Sequence, residues 1–122
     1  MKLQVEIPER MIFKIIHIYG VDYYTELAAI GKIDNEISLS LKLEPENKFD
    51  NNAVRVYCHG GIPIGYLIRQ DAASFSKIMP VIDYLVSMNK IRVEARFVNH
   101  KERKKTIENQ FYREIVVDVK KR

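Results

Sequence analysis

Residues 36–58, EISLSLKLEPENKFDNNAVRVYC, contain two alternating segments that flank a polar loop. The first segment places four apolar residues on one face of a strand: Ile37, Leu39, Leu41 and Leu43. The second segment, residues 53–58, alternates in the same way and predicts a second strand. The loop between them carries one aromatic residue, Phe49, next to Asp50, where water is expected to surround both.

Further strands are predicted on both sides of this pair. The isoleucine-rich residues 11–20 and the segment IPIGYL, residues 62–67, favour strands, and Gly65 in the latter indicates a bulge or a close backbone approach. Residues 91–98 and 111–119 alternate again, with the charged residues 99–109 predicted as an exposed hairpin loop.

The only helical pattern follows the segment IPIGYL. Residues 69–79 place apolar side chains at helical spacing, and Pro80 predicts a bend and the first position of a second short helix over residues 80–88. The expected fold is therefore mainly β (α+β). It is a small OB-like or SH3-like β-barrel of about six strands, with a short helical insertion after the fifth strand.

Composition limits the possible classes of protein. The 122 residues predict one domain, and 20 basic against 16 acidic residues give a net charge of +4, which permits a polyanionic partner without requiring one. The single Cys58 cannot form an internal disulfide, which favours a reducing, cytoplasmic location. No apolar stretch is long enough for a membrane span or a signal peptide, so no membrane partner is expected.

Catalytic and metal sites are not indicated. His17, His59 and His100 lie about forty residues apart, and a single cysteine cannot build a structural zinc site, so no metal and no cofactor are expected. Cys58 and His59 are neighbours that point to opposite faces of a strand, which favours a core role for the thiol. The chain is therefore predicted not to be an enzyme, and a nuclease is only a distant alternative.

One motif is specific. The chain resembles the HIRAN domain family, whose signature is matched here first by Glu44, Pro45, Asn47, Phe49, Asp50, Asn52, Ala53, Val54 and Val56, and then by Gly65, Tyr66 and Leu67. The resemblance covers residues 11–78, and within this range it also fits an aromatic pair, Tyr23 and Tyr24. It implies a single HIRAN-like domain over residues 1–122 that binds the 3′ end of single-stranded DNA in repair or replication, with any helicase or nuclease activity in another chain.

The resemblance also implies roles for individual residues. Phe49 and Tyr23 would sandwich the terminal base, beside Tyr24, and Asp50, assisted by Asn47, would accept a hydrogen bond from the 3′ hydroxyl. Arg69 would face the phosphates, and Phe97 would offer a second stacking platform. Two residues depart from the DNA-binding members of the family. Asp22 stands where those members carry a basic residue, and Tyr66 stands where they often carry a histidine that contacts phosphate.

Several of these residues also have a purely structural alternative. Asp50 and Asn52 can hold the turn through their own backbone, Phe49 can fold into the core, one ring of the Tyr23 and Tyr24 pair can be buried, and Arg69 can pair with a local acid. The alternative function is an SH3-like protein-interaction module that uses the same aromatic loop surface for a peptide.

Overall fold

The computed structural model describes residues 6–16, 38–58, 61–98, 104–105 and 111–122. Within these residues it contains one helix, α1 (Arg69–Ser87), and seven strands: β1 (Arg10–Ile16), β2 (Ser40–Leu43), β3 (Val54–Cys58), β4 (Ile62–Leu67), β5 (Ile91–Phe97), β6 (Lys104–Lys105) and β7 (Phe111–Lys121). Within the described residues the predicted strand segments thus become strands, and α1 follows β4, the fourth strand of this part. Residues 17–20, 36 and 37 of those segments lie outside it.

The strands form one antiparallel sheet in the order β2-β3-β4-β1-β7-β5, and β6 pairs with β7. The sheet curls until its two edges meet. The contact between the edges is a hydrogen bond from the backbone N–H of Leu39, just before β2, to the carbonyl of Ala95 in β5 at 2.7 Å. The predicted mainly β fold with one helical insertion is confirmed. The short β6 falls within the segment predicted as a hairpin loop, and that part of the prediction is corrected.

The alternating apolar side chains of the strands form the core. Val54 and Val56 of β3 have no exposed surface. The core residues that β1, β5 and β7 add to the same interior are Phe13, Ile15, Ile91, Ala95, Phe97, Ile115 and Val117. Helix α1 contributes its apolar side to this core through Ala72, Phe75, Met79 and Ile82. The Phe75 ring meets the Phe13 ring edge to face, with centroids 5.1 Å apart. The helix is therefore fixed against the sheet, and its first turn lies where β4 ends.

The helix runs through Pro80 without a break, so the prediction of two helical pieces is wrong. The buried residues explain why. Phe75 and Met79 before the proline and Ile82 after it continue one helical face into the core, while Pro80 itself is exposed. Burial of that face outweighs the backbone hydrogen bond that the proline cannot make.

Gly65 behaves as predicted. A Cβ atom at this position would overlap the carbonyl oxygen of Ile16 on the neighbouring strand β1, so no larger residue fits there without a backbone shift. The pairing of β3 with β4 also shifts register between Val56 and Tyr57, opposite this region. Both the bulge and the close backbone approach are present.

Candidate functional site

The loop between β2 and β3, residues 44–53, is held together by its own polar groups. The Asn47 side-chain oxygen accepts the backbone N–H groups of Phe49, at 2.9 Å, and of Asp50, at 3.1 Å. The Asp50 carboxylate accepts the backbone N–H of Asn52 at 2.9 Å. The turn-holding alternative is therefore correct for Asp50, whose Oδ1 serves the loop itself. Residues 44–53 are called the β2–β3 loop.

Glu44 joins the base of the β2–β3 loop to the sheet. Its carboxylate accepts hydrogen bonds from Tyr66 Oη at 2.8 Å, Asn47 Nδ2 at 3.1 Å and Arg55 Nη1 at 3.3 Å. Burial alone raises the pKa of Glu44, but the hydrogen bonds from Asn47 and Tyr66 and the charge of Arg55 outweigh it and keep this pKa below its usual range. An ionised Glu44 thus holds strands β3 and β4 and the loop in one arrangement.

Phe49 projects from this fixed loop into solvent. It is 89% exposed, so the alternative in which it folds into the core is wrong. Its backbone is nevertheless held at both ends, since Asn47 accepts from its N–H and Arg69 Nη2 donates to its carbonyl oxygen at 3.0 Å. A single exposed apolar ring is common on protein surfaces, so exposure alone does not mark a site. Phe49 is a candidate contact because hydrogen bonds hold its backbone in place while the ring stays accessible.

Asp50 and Arg69 lie beside Phe49. Asp50 Oδ2 is 3.8 Å from Arg69 Nε, and the Arg69 side chain is 76% exposed while that of Asp50 is only 20% exposed. The predicted pairing of Arg69 with a local acid is therefore real, yet a side chain with five donors and this much exposure still reaches solvent. Together these groups line an open cleft of about 540 Å³, formed by Asn47, Lys48, Phe49, Asp50, Asn51, Asn52, Arg69 and Ala73.

The position of Arg69 depends on the anchoring of α1 to β1. Asp71, in the first turn of the helix, accepts the backbone N–H of Lys14 at 2.7 Å, and Ile68 N donates to the Lys14 carbonyl at 2.9 Å. Burial raises the pKa of Asp71, and the Lys14 N–H partly opposes that rise. This junction fixes the start of the helix, and therefore Arg69, relative to the sheet.

The other predicted site residues do not line the cleft around Phe49 in the part of the chain that the structure describes. Phe97 has no exposed surface and packs in the core, so the expectation that it offers a stacking platform is corrected: its ring cannot be reached by a ligand. Tyr66 is half-buried, with its hydroxyl donating to Glu44 rather than pointing to the cleft. Asp22, Tyr23 and Tyr24 lie outside the described residues. The structure thus brings together Asn47, Phe49, Asp50 and Arg69.

Three contributors to the cleft were not found from the sequence. Lys48, Asn51 and Ala73 line it, and Ser76 of α1, beside it, donates to the Asn52 side chain at 3.4 Å. Lys48 lies within the HIRAN signature, directly before Phe49, and a cation next to an aromatic residue is itself a signal for nucleic-acid binding. Ala73 and Ser76 carry no such signal, because only the packing of α1 beside the loop makes them neighbours.

Other kinds of site receive no support from the described residues. Among them, no group of three or more His, Cys, Asp or Glu side chains is arranged to hold a metal ion, and the three histidines lie outside the described residues. Cys58 is buried, as expected of a core residue, and burial raises the pKa of its thiol. No helix in this part of the chain is long and apolar enough to cross a membrane.

Residues 14–120 match the HIRAN domain family, and the chain therefore belongs to that family. Over 63 residues it is 36% identical to helicase-like transcription factor from Oryctolagus cuniculus, and over 62 residues it is 34% identical to the Mus musculus protein of that name. These alignments cover 52% and 51% of this chain but only 6% of each relative. The chain thus corresponds to a small part of those proteins.

Two solved structures share the fold. The crystal structure of the HIRAN domain of human HLTF matches with a TM-score of 0.55 and 19% identity, covering 90% of this chain and 74% of that one. A crystal structure of a protein from Lactobacillus plantarum matches with a TM-score of 0.50 and 13% identity, covering 91% of this chain and 98% of that one. At these identities the similarity concerns the fold alone.

Proposed function

We propose that this protein is a non-enzymatic binding module that recognises single-stranded DNA at its 3′-hydroxyl end, in DNA repair or replication. Membership in the HIRAN family and similarity to a helicase-like protein support a nucleic-acid ligand. The observation that carries the proposal is Phe49, an almost fully exposed ring on a loop that hydrogen bonds hold in place beside Asp50 and Arg69.

Phe49 provides the stacking surface for the terminal base. Base stacking on an aromatic ring contributes about 1–3 kcal/mol per base with little sequence preference. Because the β2–β3 loop is already ordered by Asn47 and Glu44, little conformational entropy is lost when a base arrives. Tyr23, with Tyr24 beside it, is the proposed ring on the opposite side of the base.

Asp50 is the proposed reader of the strand end. Its Oδ1 is used by the Asn52 N–H, whereas Oδ2 faces Arg69 at 3.8 Å and keeps lone pairs for a hydroxyl donor. A free 3′ hydroxyl can donate to this oxygen, while a 3′ phosphate would bring negative charge against the carboxylate. Asn47 supports this role indirectly, because its amide is committed to the loop.

The phosphate contact falls to the exposed cations at the cleft. Arg69 reaches solvent from the first turn of α1, and Lys48 lines the same cleft. Tyr66, which stands in the place of a histidine, donates its hydroxyl to Glu44 instead. With so few cations the grip involves about two or three phosphates, and the salt dependence is correspondingly shallow, about 0.7 per phosphate for single strands. A helicase or nuclease in another chain would supply any catalysis.

The test is fluorescence anisotropy with 5′-labelled oligothymidylates that end in either a 3′ hydroxyl or a 3′ phosphate. We expect tighter binding of the hydroxyl form, and we expect Asp50→Asn to abolish the difference, since an amide oxygen still accepts from Asn52 but carries no charge against phosphate. Matching RNA oligonucleotides decide between DNA and RNA.

Equal affinity for the two 3′ ends would remove the end-reading role of Asp50. An absence of binding to every oligonucleotide, together with binding of peptides at the same cleft, would replace the proposal by the protein-interaction alternative. That alternative uses the same exposed ring and the same open cleft of about 540 Å³.

A further inference from the structure

Cations and aromatic rings alternate on the outer face of β2, β3 and β4. Lys42 Nζ lies 5.5 Å from the centre of the Tyr57 ring, and the Arg55 guanidinium carbon lies 6.0 Å from the Tyr57 ring and 5.2 Å from the Tyr66 ring. These distances are those of cation–π contacts. We call Lys42, Tyr57, Arg55 and Tyr66 the outer row.

Strand register explains why these four side chains meet. Lys42 pairs with Arg55 across β2 and β3, and Arg55 pairs with Tyr66 across β3 and β4, so the three project from the same face. Val54 and Val56 project into the core, which places Arg55 and Tyr57 outside. The outer row is therefore a property of the sheet rather than of a loop.

Glu44 connects the outer row to the cleft around Phe49. Its carboxylate accepts from Tyr66 and Arg55, which belong to the row, and from Asn47, which lines the cleft. The row thus begins where the proposed grip on the terminal nucleotide ends. Arg55, bonded to Glu44 at 3.3 Å and 23% exposed, holds the spacing of the two rings, whereas Lys42 at the far end is exposed.

We infer that the outer row binds the nucleotides that precede the terminal one, a role that rests on the proposed function. Lys42 contacts a phosphate and Tyr57 contacts a base, because an ammonium group suits the backbone and a ring accepts any base. Interleaved positive charge and aromatic surface is the chemistry that single-stranded nucleic acid requires. The terminal grip and the outer row together give the site a length of several nucleotides.

The inference is tested by the length dependence of affinity. Oligothymidylates with a 3′ hydroxyl, from the dinucleotide to the octanucleotide, are titrated against the native protein, Lys42→Gln, Tyr57→Leu and the control Lys121→Gln. The control removes a positive charge from the end of β7, a strand that pairs with neither β2, β3 nor β4. For the native protein we expect affinity to rise at least about fivefold with length and then level off.

In Lys42→Gln and Tyr57→Leu we expect the gain with length to shrink, while affinity for the dinucleotide, which is held mainly by the terminal grip, changes least. The slope of log affinity against log salt for the octanucleotide should also fall by about 0.7 in Lys42→Gln, corresponding to one lost phosphate contact. Lys121→Gln should keep the full length gain. Lys42 is exposed, so its variant decides the matter even if Tyr57→Leu folds poorly.

Affinity that does not change with length, or a length gain that both variants retain, overturns the outer row while leaving the terminal grip intact. Absence of binding to any oligonucleotide overturns the proposed function itself. The two failures are therefore distinguishable in one set of titrations.

Discussion

Replacing Asn47 by alanine should destabilise the protein through the β2–β3 loop. The Asn47 amide makes three hydrogen bonds, accepting from the N–H groups of Phe49 and Asp50 and donating to Glu44. Alanine removes all three. In Asn47→Asp, an oxygen still accepts from the two N–H groups, but the donor to Glu44 is replaced by a second carboxylate.

The magnitude follows from these bonds. An intramolecular hydrogen bond contributes about 1 kcal/mol net, so three give an upper limit of about 3 kcal/mol. The Phe49 N–H lies at the surface, where water replaces the lost partner, and we therefore expect Asn47→Ala to lower the free energy of unfolding by about 1–2 kcal/mol. That loss corresponds to a decrease in melting temperature of roughly 3–8 °C for a domain of this size.

Urea unfolding and thermal melting measure the loss, and amide hydrogen exchange locates it. We expect faster exchange at Phe49 and Asp50 in Asn47→Ala, and slower exchange at these amides in Asn47→Asp than in the alanine variant. A change in stability below about 0.5 kcal/mol, with unaltered exchange at both amides, would show that the side chain does not order the loop.

Three further predictions concern the frame of the site. Gly65→Ala should cost about 3 kcal/mol or more in urea unfolding, since the new methyl meets the Ile16 carbonyl oxygen, and a native-like midpoint would contradict the close approach. Glu44 has a lowered pKa, so its contribution to stability is present above the usual glutamate pKa and is lost as pH falls through the lowered value. In thermal melts from pH 7 to pH 2.5, Glu44→Gln should therefore lose less stability at acid pH than the native protein. An equal acid loss in both proteins would refute this contribution. Pro80→Ala should raise the free energy of unfolding by about 1–3 kcal/mol because the helix already continues through this position, and a less stable variant would show that the proline is needed there.

Period-2 alternation predicted β2, β3, β5 and β7, although it missed β6 and the burial of Val116 and Asp118 on the second face of β7. Val54, Val56 and Cys58 are buried as the pattern requires, and Gly65 marks the contact with β1. The same rule also placed Phe97 on the apolar face of its strand, which contradicts its expected role as a stacking platform. A consistent use of alternation would have assigned Phe97 to the core.

The candidate site was predictable only in part. The motif pointed to Phe49, Asp50 and Asn47 because they follow one another along one loop. The bond between Glu44 and Tyr66 spans 22 residues and depends on the register of β3 and β4, which the sequence does not reveal. The outer row was missed for the same reason, because its cations and rings become neighbours only once the strands pair.

The Phe49 ring is proposed to stack on a base and not to support the core, and the variant Phe49→Ala separates these two roles. Calorimetric titration with a 3′-hydroxyl oligothymidylate should show affinity weakened by about 5- to 150-fold, which corresponds to about 1–3 kcal/mol of stacking. The free energy of unfolding should change by less than about 0.5 kcal/mol, since the ring is 89% exposed. Ile12→Ala, which trims another exposed apolar side chain, should bind as tightly as the native protein. Unchanged affinity in a folded Phe49→Ala variant would show that the ring does not stack on a base.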